Sequence, residues 1–123
     1  MKNEQLKIIV ESLIDITEKA GKKTIELHNS GLKIIKKPDG SPVTNGDLEV
    51  DKMLKAKIKE LTPEIPIISE ESVDLKIRNT LKTYWLLDPI DGTKEYISGK
   101  DVYTLNAGLI INCLPSLGII GVP

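Results

Sequence analysis

The run Tyr84-Trp85-Leu86-Leu87-Asp88-Pro89-Ile90-Asp91-Gly92-Thr93-Lys94-Glu95-Tyr96-Ile97 constrains this chain more than any other stretch. Tyr84 to Leu87 is apolar and aromatic, the composition of a buried strand. Pro89 disfavours the helical region for Asp88, so the chain stays extended through that carboxylate. Gly92 and Thr93 then turn into a short helix that runs on through Glu95 and Ile97. Two carboxylates, Asp88 and Asp91, therefore stand at a strand end just before a helix N-terminus. Carboxylates are the hard oxygen ligands that Mg²⁺ or Ca²⁺ takes. The free N–H groups of Gly92, Thr93 and Lys94 would face an anion, since a helix N-terminus cradles phosphate. Metal on one side and phosphate on the other is the layout of a metal-dependent phosphoryl site. The plainer alternative is a strand-turn-helix junction, with Asp91 capping the helix and Asp88 bonding the loop.

The ten-residue string from Asp88 to Ile97 resembles the signature of the inositol monophosphatase superfamily. Its Lys94-Glu95-aromatic-Ile97 ending is similar to the 3'(2'),5'-bisphosphate nucleotidase branch, where the inositol monophosphatase branch more often carries Thr-Asn-Phe. The resemblance implies an α+β fold: the N-terminal half of the layered αβαβα sugar-phosphatase architecture, with two N-terminal helices packed on a mostly antiparallel sheet.

The chain's 123 residues suffice for one modest domain. With no internal repeat or linker, residues 1–123 read as a single domain, which the resemblance implies is a truncated phosphatase domain, its N-terminal metal-binding half. A net charge of -1 argues against a nucleic-acid polymer as partner. One cysteine, Cys113, excludes an internal disulfide and suits a reducing cytoplasm; between apolar strands it reads as a small buried hydrophobe. The N-terminus lacks the apolar core of a signal peptide, and no run is long enough to span a bilayer. A cytoplasmic location is expected, with peripheral membrane association left open.

From about Asn3 to His28 the pattern is an amphipathic helix, with Leu6, Ile9, Val10, Leu13, Ile16, Thr17 and Ala20 on one face. Gly21 is expected to weaken or bend it. His28, the single histidine, reads as a surface side chain at the helix end. Leu32 to Lys37 is strand-like, followed by a turn-rich loop in which Lys36 and Lys37 are either solvated or folded over an anionic substrate. Thr44 with Asp47 resembles a capping box, and Val50, Leu54, Ile58 and Leu61 form the stripe of a second helix ending at Thr62-Pro63. Ile65 to Ile68 is a short strand delivering Ser69-Glu70-Glu71. Adjacent carboxylates repel unless solvent or a cation relieves them, so Glu70 and Glu71 are either a solvated acidic turn or part of a ligand set. Ser72 to Thr83 reads as a loop or short surface helix. Val102 to Ile111, the turn at Asn112-Cys113-Leu114-Pro115 and Ser116 to Val122 read as an antiparallel hairpin.

What the family resemblance implies goes further. Ser41-Pro42-Val43-Thr44-Asn45-Gly46-Asp47 matches the family's N-terminal motif, which makes Asp47 and Thr93 a catalytic pair that orients the attacking water. Glu70, Asp88 and the Ile90 carbonyl would hold one Mg²⁺, Asp88 and Asp91 a second, in a site of two or three ions. Glu71 lies close by as a further catalytic residue, and Glu70, Asp91, Gly92 and Thr93 would bind the substrate's phosphate. The implied reaction is hydrolysis of a phosphate monoester, a nucleotide bisphosphate or alternatively an inositol phosphate. Family members are about twice as long and carry another metal-binding aspartate in a Trp-Asp motif that this sequence lacks. Because misplacement by about 1 Å can cost roughly 100-fold, the chain alone is expected to be weak or inactive. A complementing C-terminal half, a homodimer, or a non-catalytic remnant are the remaining expectations.

Overall fold

The structure, a computed structural model, describes residues 1–69 and 81–123. Helix α1 (Asn3–Asn29) forms where Ile9, Leu13, Thr17, Ala20 and Thr24 recur at three- and four-residue steps, and all of these are buried. It runs through Gly21 without a break; that glycine is buried, and a Cβ there would lie 3.5 Å from Pro123. The chain then makes a small hairpin of β1 (Ile34–Lys36) and β2 (Pro42–Thr44), shorter than the six residues from Leu32 to Lys37 suggested. Asp39 closes its loop by accepting from the Ser41 amide at 2.9 Å and the Ser41 hydroxyl at 2.6 Å. Those two bonds hold the Asp39 carboxyl below its ordinary value.

Helix α2 (Asn45–Leu61) buries Val50, Leu54 and Ile58 and stops at Thr62. There the Thr62 hydroxyl donates to the Ile58 carbonyl at 3.0 Å and accepts from the Trp85 indole N–H at 3.0 Å. One side chain thus ends a helix and satisfies the buried donor of a core aromatic. The main sheet is made of β3 (Ile67–Ser69), β4 (Tyr84–Asp91), β5 (Thr104–Ile111) and β6 (Leu114–Gly121), in that order. β3 and β4 run parallel; β4–β5 and β5–β6 are antiparallel. A short helix, α3 (Thr93–Ile97), sits between β4 and β5. The expected class holds: two N-terminal helices lie on a mixed, mostly antiparallel sheet.

Alternation places the core. Trp85 and Leu87 on β4, with Leu105, Ala107 and Leu109 on β5, meet Ile9, Leu13, Val50, Leu54 and Ile58 of the helices. A fully buried side chain of this size contributes about 1.5–3 kcal/mol. The opposite face of the same strands carries Leu86, Asp88, Asn106, Gly108 and Ile110, all half-buried.

The β5–β6 hairpin corrects one expectation. Ile111 pairs with Leu114, so Asn112 and Cys113 form a two-residue turn, and both have positive φ, 49° and 66°. Such a turn matches the twist of the flanking strands and leaves its residues outside the core. Cys113 is therefore exposed, not a buried hydrophobe. His28 also departs from the expected surface position: it is half-buried, its Nε2 is 3.4 Å from the Ile97 carbonyl, and its ring centroid is 5.7 Å from that of Tyr96.

Candidate active site

The site is built where β2 enters α2 and where β4 enters α3. Thr44 caps α2 from extended backbone, and its hydroxyl oxygen accepts from the Asp47 amide at 3.2 Å. Asp47 replies with one carboxylate oxygen, Oδ2, which accepts from the Thr44 amide at 2.9 Å and the Thr44 hydroxyl at 2.5 Å. The box is closed in both directions with Asp in the place of the usual Glu. Asp47 is only 1% exposed, so its second oxygen also needs a donor. Thr93 supplies it, its Oγ1 donating to Asp47 Oδ1 at 2.8 Å. The Ile90 carbonyl lies farther from that hydroxyl, at 3.4 Å, so the single proton goes to the carboxylate.

β4 brings its two aspartates out by a break in register. Asp88 pairs with Asn106 and Asp91 with Thr104, so the ladder slips between them. In an unbroken strand residues three apart point to opposite faces. The slip turns Pro89 and Ile90 inward in succession, and Asp88 and Asp91 on either side both lie away from the core. Gly92 follows as the cap of α3 with φ 93° and ψ 42°, and a Cβ there would come within 3.0 Å of the Val102 carbonyl. Both facts call for glycine. The cap position falls on Gly92, which has no side chain to offer, and not on Asp91, where the plainer reading placed it.

The donors gathered on β4 are all oxygen: the carboxylates of Asp88 and Asp91 and the carbonyl of Ile90. That set fits a hard divalent cation as part of its ligand sphere. Among the described residues no three His, Cys, Asp or Glu side chains gather at one point. Glu70 and Glu71 lie outside the described residues. The last described residue before them, Ser69, is level with Leu87, one residue short of Asp88.

Two further groups were not singled out from sequence. Asp51, one turn after Asp47, is 9% exposed; it accepts a short hydrogen bond from the Ser69 hydroxyl and pairs with Lys55 at 2.8 Å. It ties α2 to the end of β3. Its signal was a charge in register with the buried Asp47, Leu54 and Ile58. Thr104 and Asn106 interrupt apolar β5 at alternate positions, and the Asn106 amide donates to Thr104 Oγ1 at 3.1 Å. They stand across from the two β4 aspartates.

The inositol monophosphatase family model matches residues 3–123, and the chain belongs to that family. Among its relatives is the 3'(2'),5'-bisphosphate nucleotidase CysQ of Aggregatibacter actinomycetemcomitans, 35% identical over 117 residues, which cover 94% of this chain and 44% of that one. The crystal structure of CysQ from Bacteroides thetaiotaomicron is 33% identical with a TM-score of 0.65, covering 92% of this chain and 41% of that one. An IMPase/NADP phosphatase crystallised with Mg²⁺ and phosphate shares the fold at 21% identity and a TM-score of 0.74, covering 90% of this chain and 42% of its own. The chain spans less than half the length of the relatives it matches.

Tyr96, three residues after Thr93, is 1% exposed. Burial, then Tyr103, then the charge on Asp47 push its hydroxyl well above the ordinary value of 10.0. The folded chain therefore holds this proton more tightly than the unfolded one. The corresponding stability is complete below about pH 10 and is lost as pH rises toward the folded value. Denaturant midpoints at pH 9 and 11 should fall more for the wild type than for Tyr96→Phe, which has no such proton. Equal falls in the two proteins would contradict this.

Proposed function

We propose that this chain provides the water-activating and cation-binding part of a Mg²⁺-dependent phosphomonoesterase acting on 3'(2'),5'-bisphosphate nucleotides, converting adenosine 3',5'-bisphosphate to AMP and phosphate. The observation that carries the reading is the Thr93–Asp47 hydrogen bond of 2.8 Å at the mouth of the β4 break. With its proton directed at the carboxylate, Thr93 Oγ1 presents lone pairs to a water. As the water oxygen attacks phosphorus, a water proton passes to Thr93 Oγ1 and the threonine proton to Asp47. The ester P–O bond breaks, and the leaving alkoxide takes a proton from solvent. Asp88, Asp91 and the Ile90 carbonyl would hold the cations, joined in this reading by Glu70, with Glu71 nearby. When bound, such ions neutralise the phosphate and acidify water. The amides of Gly92 and Thr93, first in a helix and without helical acceptors, receive phosphate oxygens beside Asp91. The nucleotide is favoured over inositol phosphate by Lys94-Glu95-Tyr96-Ile97 and by the nucleotidases among the relatives.

A second reading concerns completion of the site. Among the described residues β6 is paired on one side only, and it exposes Leu114 and Ile120. Between it and α1 runs a groove of about 410 Å³ lined by Ile14, Ile25, Ile119 and Val122. β6 carries no charged residue, whereas exposed strand edges are commonly guarded by charge. In this reading the edge accepts a strand of a complementary half like the one that makes up the remaining length of the relatives.

Two experiments follow. Mg²⁺ binding is measured by calorimetry, and hydrolysis of adenosine 3',5'-bisphosphate and of inositol 1-phosphate is assayed with and without Mg²⁺. The expected result is a Mg²⁺-dependent preference for the nucleotide, reduced roughly 10²–10⁴-fold by Thr93→Val, with weaker Mg²⁺ binding in Asp88→Asn. Absence of Mg²⁺ binding, or undiminished hydrolysis in Thr93→Val, would overturn the proposal; preference for inositol 1-phosphate would move it to the other branch. For the second reading, the chain is co-expressed with the remaining part of the Aggregatibacter relative. A one-to-one complex with increased hydrolysis is expected. Failure to associate removes the reading, and a homodimer of the chain alone replaces it with self-association.

A further inference from the structure

Gly46 and Tyr96 meet where the two first turns of the site approach each other. Gly46 is buried in the first turn of α2, directly before Asp47. A Cβ at that position would lie 2.6 Å from the Tyr96 hydroxyl oxygen and 2.7 Å from its Cε2. Contacts that short are repulsive, well inside the separation of about 3.5–4.0 Å at which non-bonded carbons attract. Glycine is a poor helix former, and its place in α2 is explained by what presses against it.

Tyr96 has little freedom to retreat. Its hydroxyl donates to the Thr24 carbonyl of α1 at 2.6 Å, and its ring centroid lies 4.7 Å from that of Tyr103. Thr24 is itself held, its Oγ1 donating to the Gly21 carbonyl at 2.6 Å. That leaves the Tyr103 hydroxyl as donor to Thr24 Oγ1 at 2.9 Å. The ring is thus fixed at one end by α1 and on one face by Tyr103, and it presses on α2 backbone at Gly46.

We infer that the Gly46 notch and the Tyr96 ring form a positioning device that sets the separation of Asp47 and Thr93. The inference rests on reading that pair as the water-activating one. Gly46 is next to Asp47, and Tyr96 is one turn after Thr93 on α3. Filling the notch forces the first turns of α2 and α3 apart, and the Thr93–Asp47 hydrogen bond bridges those same two turns. Tyr96 acts through this spacing; it is a positioning residue and touches no reacting atom.

The test is a cycle of Gly46→Ala, Tyr96→Phe and the double variant, read by backbone amide NMR shifts of Asp47 and Thr93 and by kcat and KM for adenosine 3',5'-bisphosphate with Mg²⁺. Gly46→Ala should displace both amides and lower kcat about 100-fold, the loss that misplacement by about 1 Å brings, with KM less affected. Tyr96→Phe removes the bond to Thr24 and the atom nearest the new methyl, so the ring can withdraw. The double variant should return both amides toward wild-type positions and recover at least about tenfold in kcat. Additive effects without recovery, or unmoved amides in Gly46→Ala, would overturn the inference. If Gly46→Ala fails to fold, folding of the double variant is the expected rescue, and failure of both overturns it. If the wild type alone hydrolyses nothing, as expected of a chain spanning less than half of its relatives, the amide shifts still decide the positioning, while Mg²⁺ binding decides the proposed function.

Discussion

The hydrogen bond from Thr93 to Asp47 joins two first turns that the chain places 46 residues apart. A carboxylate that is 1% exposed persists only if donors replace the water it has lost. Asp47 receives three: the Thr44 amide, the Thr44 hydroxyl and the Thr93 hydroxyl. The first two are local and cap α2. The third reaches across from α3. One side chain therefore closes the cap of α2 with one carboxylate oxygen and ties α2 to α3 with the other.

The sheet supplies the rest of the geometry. β4 is a core strand through Trp85 and Leu87, then slips register between Asp88 and Asp91. The slip turns two residues inward together and leaves half-buried Asp88 and exposed Asp91 both off the core face, an arrangement that an unbroken strand does not offer. Gly92 then uses left-handed backbone to enter α3, with the Val102 carbonyl close behind it. Asp51 holds the far side by bonding Ser69 at the end of β3. The order of elements explains how a small core can fix a site: each site residue lies within a few residues of a buried one.

Much of this was legible in the residues. The three-four stripes of α1 and α2 give their faces directly, and Thr44 with Asp47 gives the cap. Asp88-Pro89-Ile90-Asp91-Gly92-Thr93 implied the strand, the turn and the short helix that the structure has. What escaped depends on partners distant in sequence. The slip in β4 exists only against β5, so no window on one strand contains it. The exposure of Cys113 follows from the two-residue turn its register imposes, while its apolar neighbours suggested burial. Gly46 had no reading of its own in the sequence, because what makes it necessary is Tyr96, 50 positions later, filling the space in front of it. Asp51 could have been found, because a charge among the buried positions of α2 needs a partner. Glu70 and Glu71 fall outside the described residues.

The coupling between Asp47 and Thr93 can be measured without turnover. Trp85, the single tryptophan, is fully buried and reports unfolding by its emission. A double-mutant cycle of Asp47→Ala and Thr93→Val, followed by chemical denaturation, isolates the term that the two residues share. A hydrogen bond to a charged group contributes about 1.5–3 kcal/mol, and a coupling in that range is expected here. Additivity within about 0.5 kcal/mol, as found for sites that do not touch, would contradict the account.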